Sequence, residues 1–209
     1  MIEAQRERAK KILAELERLF PDAGMMLRFS NHWELVVAVS LSAQCTDKKV
    51  NEVTEKLFKK YPTLDDYLRA TLQEFERDIF QTGFYHQKAR NTLAAARVLS
   101  DRFGGVVPRT MEELMSLPGV GRKTANVVLG NAFGIAVGIA VDTHVRRLAR
   151  VFELTNFDDP EKIEQDLMKI IPPSQWFRAT YLFIEYGRRF CTARPHDHEN
   201  CPVTKLFYH

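Results

Sequence analysis

The sequence has few of the residues and patterns that mark secreted and membrane proteins. The chain has three cysteines, Cys45, Cys191 and Cys201. This number is small and odd, whereas a disulfide framework needs several cysteines in pairs. The N-terminal segment MIEAQRERAKKILAEL is charged and lacks the apolar stretch of a secretory signal. No run of about 18 apolar residues occurs. We therefore expect a reduced, cytoplasmic protein.

A large excess of charge of one sign is also missing. The net charge is +3, with 45% hydrophobic and 27% charged residues, which is ordinary for a globular protein. A mildly basic chain is compatible with a polyanionic partner, but this charge alone does not establish one. The length of 209 residues suits one domain or two small lobes.

Strand patterns are scarce, and helical periodicity covers almost the whole chain. Apolar residues recur at helical spacing from the first segment onward. Cap residues precede many of these segments, at Asn31, Thr63, Thr71, Thr110 and Asp159. Only the β-branched run at 35–39 is also typical of a strand. The sequence predicts an all-α protein.

One stretch, from Thr110 to His144, combines a glycine-rich turn with two reactive side chains. The turn, residues 117–121 (LPGVG), lies between two amphipathic helical segments. Glycine permits a positive φ and a close backbone approach, and the free amides at the next helix start form an anion site. An ordinary helical hairpin with a glycine bend is the alternative interpretation.

Lys123 and Asp142 are the candidate reactive groups of this stretch. Lys123 falls in the first helical turn, where the helix dipole, Arg122 and partial burial would disfavour its charged form and favour a nucleophilic amine. Asp142 is a lone carboxylate in the apolar run IAVDTH. It is placed either to cap the next helix or to assist the amine, and the two roles are compatible. A solvated surface lysine is the alternative for Lys123.

Four segments of the chain follow one another in an order typical of a known family: LSAQCTDKKVN (41–51), TGFYHQKARN (82–91), LPGVGRKTANVVLGNAFG (117–134) and AVDTH (140–144). With these segments the chain resembles the endonuclease III type of helix-hairpin-helix DNA glycosylases. The resemblance implies base excision repair, in which oxidised pyrimidines are removed and the strand is then cleaved at the abasic site.

The resemblance also implies a role for individual residues. Lys123 would be the amine that forms a Schiff base, and Asp142 the carboxylate assisting it. Gln44 would fill the gap left by the flipped nucleotide, and Phe84 would wedge into the opposite strand. The hairpin turn would hold a DNA phosphate, with contacts from Leu117, Gly119, Val120, Gly121, Arg122 and Thr124. Ser42, Asp47 and His144 are candidates for the base pocket, with helix capping as their alternative.

The C-terminal segment departs from the family pattern. Most members carry four cysteines, spaced C-x6-C-x2-C-x5-C, that bind a 4Fe–4S cluster. Here Cys191 and Cys201 match the first and third cysteines, whereas His198 and Phe207 occupy the other two positions. Since phenylalanine cannot ligate iron, we expect no cofactor and no iron–sulfur cluster. Zinc bound by Cys191, His196, His198 and Cys201 is the alternative to an unmetallated loop.

The expected architecture is two helical lobes with a DNA cleft between them. Residues 25–135 would form the lobe that contains the hairpin, and residues 1–24 with 136–209 the other. We expect a monomer that binds double-stranded DNA carrying a damaged base or an abasic site. Two rival functions remain: a monofunctional mismatch glycosylase, which Lys123 argues against, and a non-catalytic helix-hairpin-helix DNA-binding protein.

Overall fold

Helices supply all the regular secondary structure that the computed structural model describes, which covers residues 2–207. The all-α prediction is thus confirmed. None of these helices is both long and apolar enough to cross a membrane. They are α1 (Ile2–Leu19), α2 (His32–Leu41), α3 (Asp47–Lys60), α4 (Leu64–Arg69), α5 (Leu72–Ile79), α6 (Tyr85–Phe103), α7 (Met111–Met115), α8 (Arg122–Phe133), α9 (Thr143–Val151), α10 (Pro160–Ile170) and α11 (Trp176–Arg189).

Local capping chemistry explains where many of the helices begin. Asn31 accepts the Glu34 N–H at 2.9 Å and starts α2. Asp159 accepts the Lys162 N–H at 3.0 Å, and Pro160 follows at the first position of α10. A capping side chain satisfies amide donors that have no carbonyl acceptor inside the helix. The N-termini of these two helices can therefore be predicted from the sequence.

The chain separates into two compact units, and one of them is Met26–Ile135. Its centre is α2, in which every residue from Trp33 to Val39 is buried. Helices α3, α6 and α8 pack against α2. Burial on all sides accounts for the strand-like composition of residues 35–39, because a helix surrounded by neighbours needs no polar face. An aromatic cluster closes one side of this core, with ring centroids 5.3–5.8 Å apart: Trp33, Tyr61, Tyr67 and Phe75.

The other unit consists of the described residues within Met1–Met25 and Ala136–His209. Helices α1, α9, α10 and α11 contribute its core, which includes Leu16, Leu148, Leu167 and Phe183. Buried residues of the C-terminal loop join the same core: Cys191, Cys201 and Val203. The loop is therefore packed onto the unit by its own apolar and thiol side chains.

Candidate functional site

The hairpin turn joins α7 to α8 and depends on one glycine. Gly119 has φ +81°, in the left-handed region. A Cβ atom at this position would lie 2.8 Å from the Asn91 side chain, so there is no room for a larger residue. Both the backbone conformation and the contact with α6 therefore require glycine here.

The N-terminus of α8 is open, because no side chain caps it. Its N-cap is Gly121, in an extended conformation, and the first helical hydrogen bond runs from the Ala125 N–H to the Gly121 carbonyl at 2.9 Å. The amides of Lys123 and Thr124 precede that bond and have no carbonyl one turn back in the helix. Such amides, at the positive end of the helix dipole, bind anions well.

Two buried apolar side chains anchor the turn to the core of its unit. Leu117 and Val120 are buried in the unit, with 1% and 6% of their surfaces exposed. Any contact they make with DNA must therefore come from the backbone. The turn combines anchored side chains with an outward-facing backbone, as a phosphate site requires.

Lys123 is the second residue of α8, and its side chain is exposed. The partial burial expected from the sequence was wrong: Lys123 is exposed, and the buried residues of this helix begin two positions later, at Ala125. The amine is thus freely accessible. Its position beside the open helix start remains the feature that favours a reactive group.

Asp142 caps α9, the first helix of the other unit after the hairpin. Its Oδ1 accepts the N–H groups of His144 at 2.9 Å and Val145 at 2.8 Å. Both bonds go to one carboxylate oxygen, which leaves Oδ2 for another partner. The carboxylate is also only half-buried, so capping leaves it able to take part in chemistry.

Two exposed turns of Met26–Ile135 carry Gln44 and Phe84. Gln44 lies between α2 and α3 with φ +53°, and Phe84 precedes α6 with φ +48°. Both side chains are exposed, and Phe84 has 67% of its surface accessible. Together with Glu153 they are the only non-glycine residues with positive φ in residues 2–207. An apolar ring held out in solvent by a strained backbone is unusual unless it serves contact with a partner.

Comparison with known proteins identifies the family. Residues 37–173 match the model of the HhH-GPD superfamily of base excision DNA repair proteins. The chain is 47% identical to endonuclease III of Synechocystis sp., over 97% of this chain and 93% of the relative. The chain belongs to the endonuclease III family. It is therefore a base excision repair enzyme, a DNA glycosylase with abasic-site lyase activity.

Solved structures of endonuclease III share this fold throughout their length. A non-covalent endonuclease III–DNA complex superposes with a TM-score of 0.91 at 45% identity, covering 96% of this chain and 94% of that chain. A trapped endonuclease III–DNA covalent intermediate gives 0.90 at 45% identity, covering 95% and 93%. The family assignment thus rests on sequence and fold together.

The three base-pocket candidates each take part in local structure. The Ser42 hydroxyl donates to the Val39 carbonyl at 2.7 Å at the end of α2, and Asp47 is the first residue of α3. His144 packs so closely against α11 that a Cβ on Gly187 would lie 2.5 Å from its Nδ1. Burial lowers the pKa of His144, and the Asp142 carboxylate opposes that shift. Their role in an endonuclease III base pocket remains a prediction.

The prediction that the C-terminal loop holds no cofactor is wrong. The structure brings together four side chains that are able to bind a metal, Cys191, His196, His198 and Cys201, and their donor atoms all lie within 4.8 Å of one another. Endonuclease III homologues carry a 4Fe–4S cluster. Phe207, at the family's fourth cysteine position, cannot bind a metal, but His196 lies beside His198, with ring centroids 4.6 Å apart. The four residues are those of the zinc alternative.

The donor set is two buried thiols, the half-buried imidazole of His198 and the exposed imidazole of His196. Tetrahedral zinc with Zn–S near 2.3 Å and Zn–N near 2.0 Å places its ligand atoms about 3.3–3.8 Å apart. A group already within 4.8 Å needs little movement to reach that geometry. Burial, and then the neighbouring Cys201 thiol, raise the pKa of Cys191 to about 11. A bound cation would convert this thiol into the thiolate that metals prefer.

Phe207, at the position of the family's fourth cysteine, takes a packing role. It contacts the hydrophobic core, and the Arg8 guanidinium lies over its ring, 4.9 Å from the centroid. The residue that breaks the cysteine pattern therefore fastens the end of the loop to α1.

Proposed function

We propose that the enzyme removes oxidised pyrimidines from double-stranded DNA and cleaves the strand through a Schiff base on Lys123. The observation that supports this proposal is the exposed Lys123 amine in the first turn of α8, beside backbone amides that can bind a DNA phosphate. An amine in that place can reach a sugar whose phosphate the helix start holds. In a bacterial source such an enzyme would be found with the nucleoid.

The chemistry follows from an amine nucleophile. The Nζ lone pair forms a bond to C1′ as the glycosidic bond to the base breaks. Opening of the sugar ring gives the imine, and loss of a C2′ proton then expels the 3′ phosphate in β-elimination. Asp142 assists by stabilising the positive charge that develops on the sugar and by accepting a proton. A relative trapped covalently on DNA is consistent with this route.

Gln44 and Phe84 complete the proposal. A base that leaves the stack must be replaced, and the opposite strand must be kept from collapsing into the gap. The exposed amide of Gln44 can hydrogen-bond to the unpaired base, and the exposed ring of Phe84 can stack between bases. The hairpin residues 117–124 would then fix the phosphate beside the extruded nucleotide.

The test is borohydride trapping on duplex DNA that contains a thymine glycol or an abasic site. Wild type should give a covalent adduct with both substrates, and Lys123→Gln should give none. Lys56→Gln, at another exposed lysine of the same unit, is the matched control and should trap as wild type does. Base release without strand cleavage would indicate a monofunctional glycosylase. DNA binding without either reaction would indicate a non-catalytic protein.

We further propose that Cys191, His196, His198 and Cys201 hold a metal, with tetrahedral zinc as the ion that suits two thiolates and two imidazoles. The metal would tie the loop to the core of its unit and take no part in the reaction. Metal analysis of protein purified without chelators should find one zinc per chain. Iron with an equal amount of inorganic sulfide would instead assign the family's cluster to these ligands.

Substitution separates the metal from simple packing. Cys201→Ser should lose the metal and lower the unfolding free energy by about 3 kcal/mol, which is about 6–12 °C in Tm for a chain of this size. Cys45→Ser, outside the group, is the control and should keep both. If Cys201→Ser retained stoichiometric metal, the ligand assignment would be wrong.

A further inference from the structure

A buried lysine connects the two turns that carry Gln44 and Phe84. Lys88 lies in the first part of α6, and only 7% of its surface is exposed. Its ammonium donates to the Leu41 carbonyl at 2.8 Å and to the Thr82 carbonyl at 2.7 Å. Leu41 is the last residue of α2, and Thr82 is the last residue of a short 3-10 turn, Phe80–Thr82.

Both acceptors are carbonyl groups at the C-terminal end of a helical segment, and such carbonyls need a hydrogen-bond donor from outside the segment. The last carbonyls of a helix have no N–H partner inside it, and they form the negative end of the helix dipole. A cation placed against two such ends is stabilised by both. Burial lowers the pKa of Lys88, the nearby Cys45 thiol opposes that shift, and the two carbonyls provide direct compensation for the lost water.

Each contact is made immediately before a turn with unusual backbone geometry. Gln44 follows Leu41 by three residues, and Phe84 follows Thr82 by two, with Gly83 at φ +68° between them. The two residues make up two of the three non-glycine positions with positive φ within residues 2–207. A backbone conformation of this kind persists only where the surrounding structure fixes it. Lys88 fixes the entry to both turns at once.

We propose that Lys88 is a positioning residue for lesion recognition, which sets the spacing of the Gln44 and Phe84 turns so that both side chains enter the DNA together. The inference rests on the proposed function, since it uses the roles assigned there to Gln44 and Phe84. Lys88 itself does not touch DNA or the reacting sugar. Lys88 acts by hydrogen-bonding to two main-chain carbonyls. Its loss should therefore slow extrusion of the base and leave the reaction of the Lys123 amine unchanged.

Extrusion and chemistry can be separated by comparing two substrates. A paired thymine glycol must be unstacked and replaced, whereas an abasic site has no base to extrude. In single-turnover reactions at saturating enzyme, Lys88→Met should slow glycosylase action on thymine glycol at least tenfold. Its trapping rate on a preformed abasic site should fall less than threefold. Lys88→Arg, which keeps a cation with several donors, should restore much of the glycosylase rate.

A control on the same helix distinguishes positioning from loss of stability. Leu99 is fully buried in α6, eleven residues and about 16 Å along the helix from Lys88, so Leu99→Ala should lower stability without acting on the Lys88 contacts. It should leave the ratio of the two rates unchanged. Hydrogen exchange gives an independent readout: peptides covering 41–46 and 80–86 should both lose protection in Lys88→Met and keep it in Leu99→Ala. If Lys88→Met does not fold, Lys88→Gln serves for the same measurements.

The outcomes separate this inference from the proposed function. If wild type trapped no abasic site, the Schiff-base function would be wrong whatever Lys88 does. If wild type trapped normally and Lys88→Met kept the wild-type ratio of rates, the positioning role would be overturned. Equal loss on both substrates would overturn it as well, because it would mark a general structural role.

Discussion

Helices α8 and α9 both begin beside a proposed catalytic residue, yet their N-termini differ in chemistry. The start of α9 is closed, because Asp142 takes two of its first amides at 2.8 and 2.9 Å. The start of α8 is open, because Gly121 has no side chain to offer and makes no side-chain cap. One helix start is satisfied from within the protein, and the other keeps its donors for a ligand.

The difference suits the two roles proposed. A phosphate site needs free donors on a rigid support, and α8 provides them on a turn anchored by Leu117 and Val120. A catalytic carboxylate needs a fixed orientation, and capping bonds to the backbone of α9 fix that of Asp142. In the proposed function, the same structural element, a helix start, binds the phosphate in α8 and orients the carboxylate in α9.

The largest loss of activity should come from removing the negative charge of Asp142 at the N-terminus of α9 while keeping its capping hydrogen bonds. Asp142→Asn keeps an Oδ1 acceptor, and asparagine caps as well as aspartate does. We expect an unchanged Tm and a glycosylase rate at least about 100-fold lower, the usual contribution of a positioned acid–base group. Single-turnover kinetics and a thermal melt measure the two quantities.

Two controls make this result specific. Asp142→Ala removes both charge and cap, so it should lose about 1 kcal/mol of stability in addition to activity. Asp159→Asn changes the N-cap aspartate of α10, which makes the same kind of bond at 3.0 Å, and should alter neither property. If Asp142→Asn had the wild-type glycosylase rate, Asp142 would serve only as the N-cap of α9 and not in catalysis.

Much of this site could be predicted from the sequence because its determinants are local. The φ of +81° at residue 119 by itself favours glycine, and Asp142 caps the amides two and three residues after it. Local rules of this kind need no knowledge of the rest of the fold. The family resemblance added the roles of Gln44 and Phe84, which no local rule supplies.

What the sequence did not reveal depends on how distant parts of the chain meet. Lys88 falls on the buried stripe of α6 with Thr92 and Leu99, at helical spacing, and this was the available signal. Its acceptor Leu41 is 47 residues away along the chain, so the contact itself could not be inferred. The sequence named His196 only in the zinc alternative and could not decide for it, because the path of the C-terminal loop determines which side chains converge.

A smaller effect should follow from forcing a side chain into the hairpin turn. Gly119→Ala places a residue with a Cβ at φ +81° and 2.8 Å from Asn91, and strain of this kind costs about 1–3 kcal/mol. With about 2–4 °C per kcal/mol for a chain of this size, the expected loss in Tm is roughly 2–12 °C. DNA affinity should fall as well, since the turn must shift.

The neighbouring glycine gives the matched control. Position 121 has an extended backbone and no atom within 4 Å of an added Cβ, so Gly121→Ala should lose only about 0.5–1 kcal/mol, the amount by which alanine is a poorer N-cap than glycine. Adding Asn91→Ala to Gly119→Ala should recover only part of the loss, because the strain at φ +81° remains. Full recovery would show that the contact alone requires glycine.

The last prediction converts the open helix start into a closed one. Gly121→Asp gives α8 the same N-cap residue that α9 has, at a position with a suitable extended backbone and free space. The helix should gain a few tenths of a kcal/mol, since aspartate caps slightly better than glycine. DNA affinity should nevertheless fall about tenfold, or about 1.4 kcal/mol, because the carboxylate occupies the amides and repels phosphate. Gly121→Ala separates the two causes, since it adds bulk without a cap or a charge. A Gly121→Asp protein that bound DNA as tightly as wild type would mean that the phosphate is held elsewhere, and the contrast between α8 and α9 would then have no part in binding.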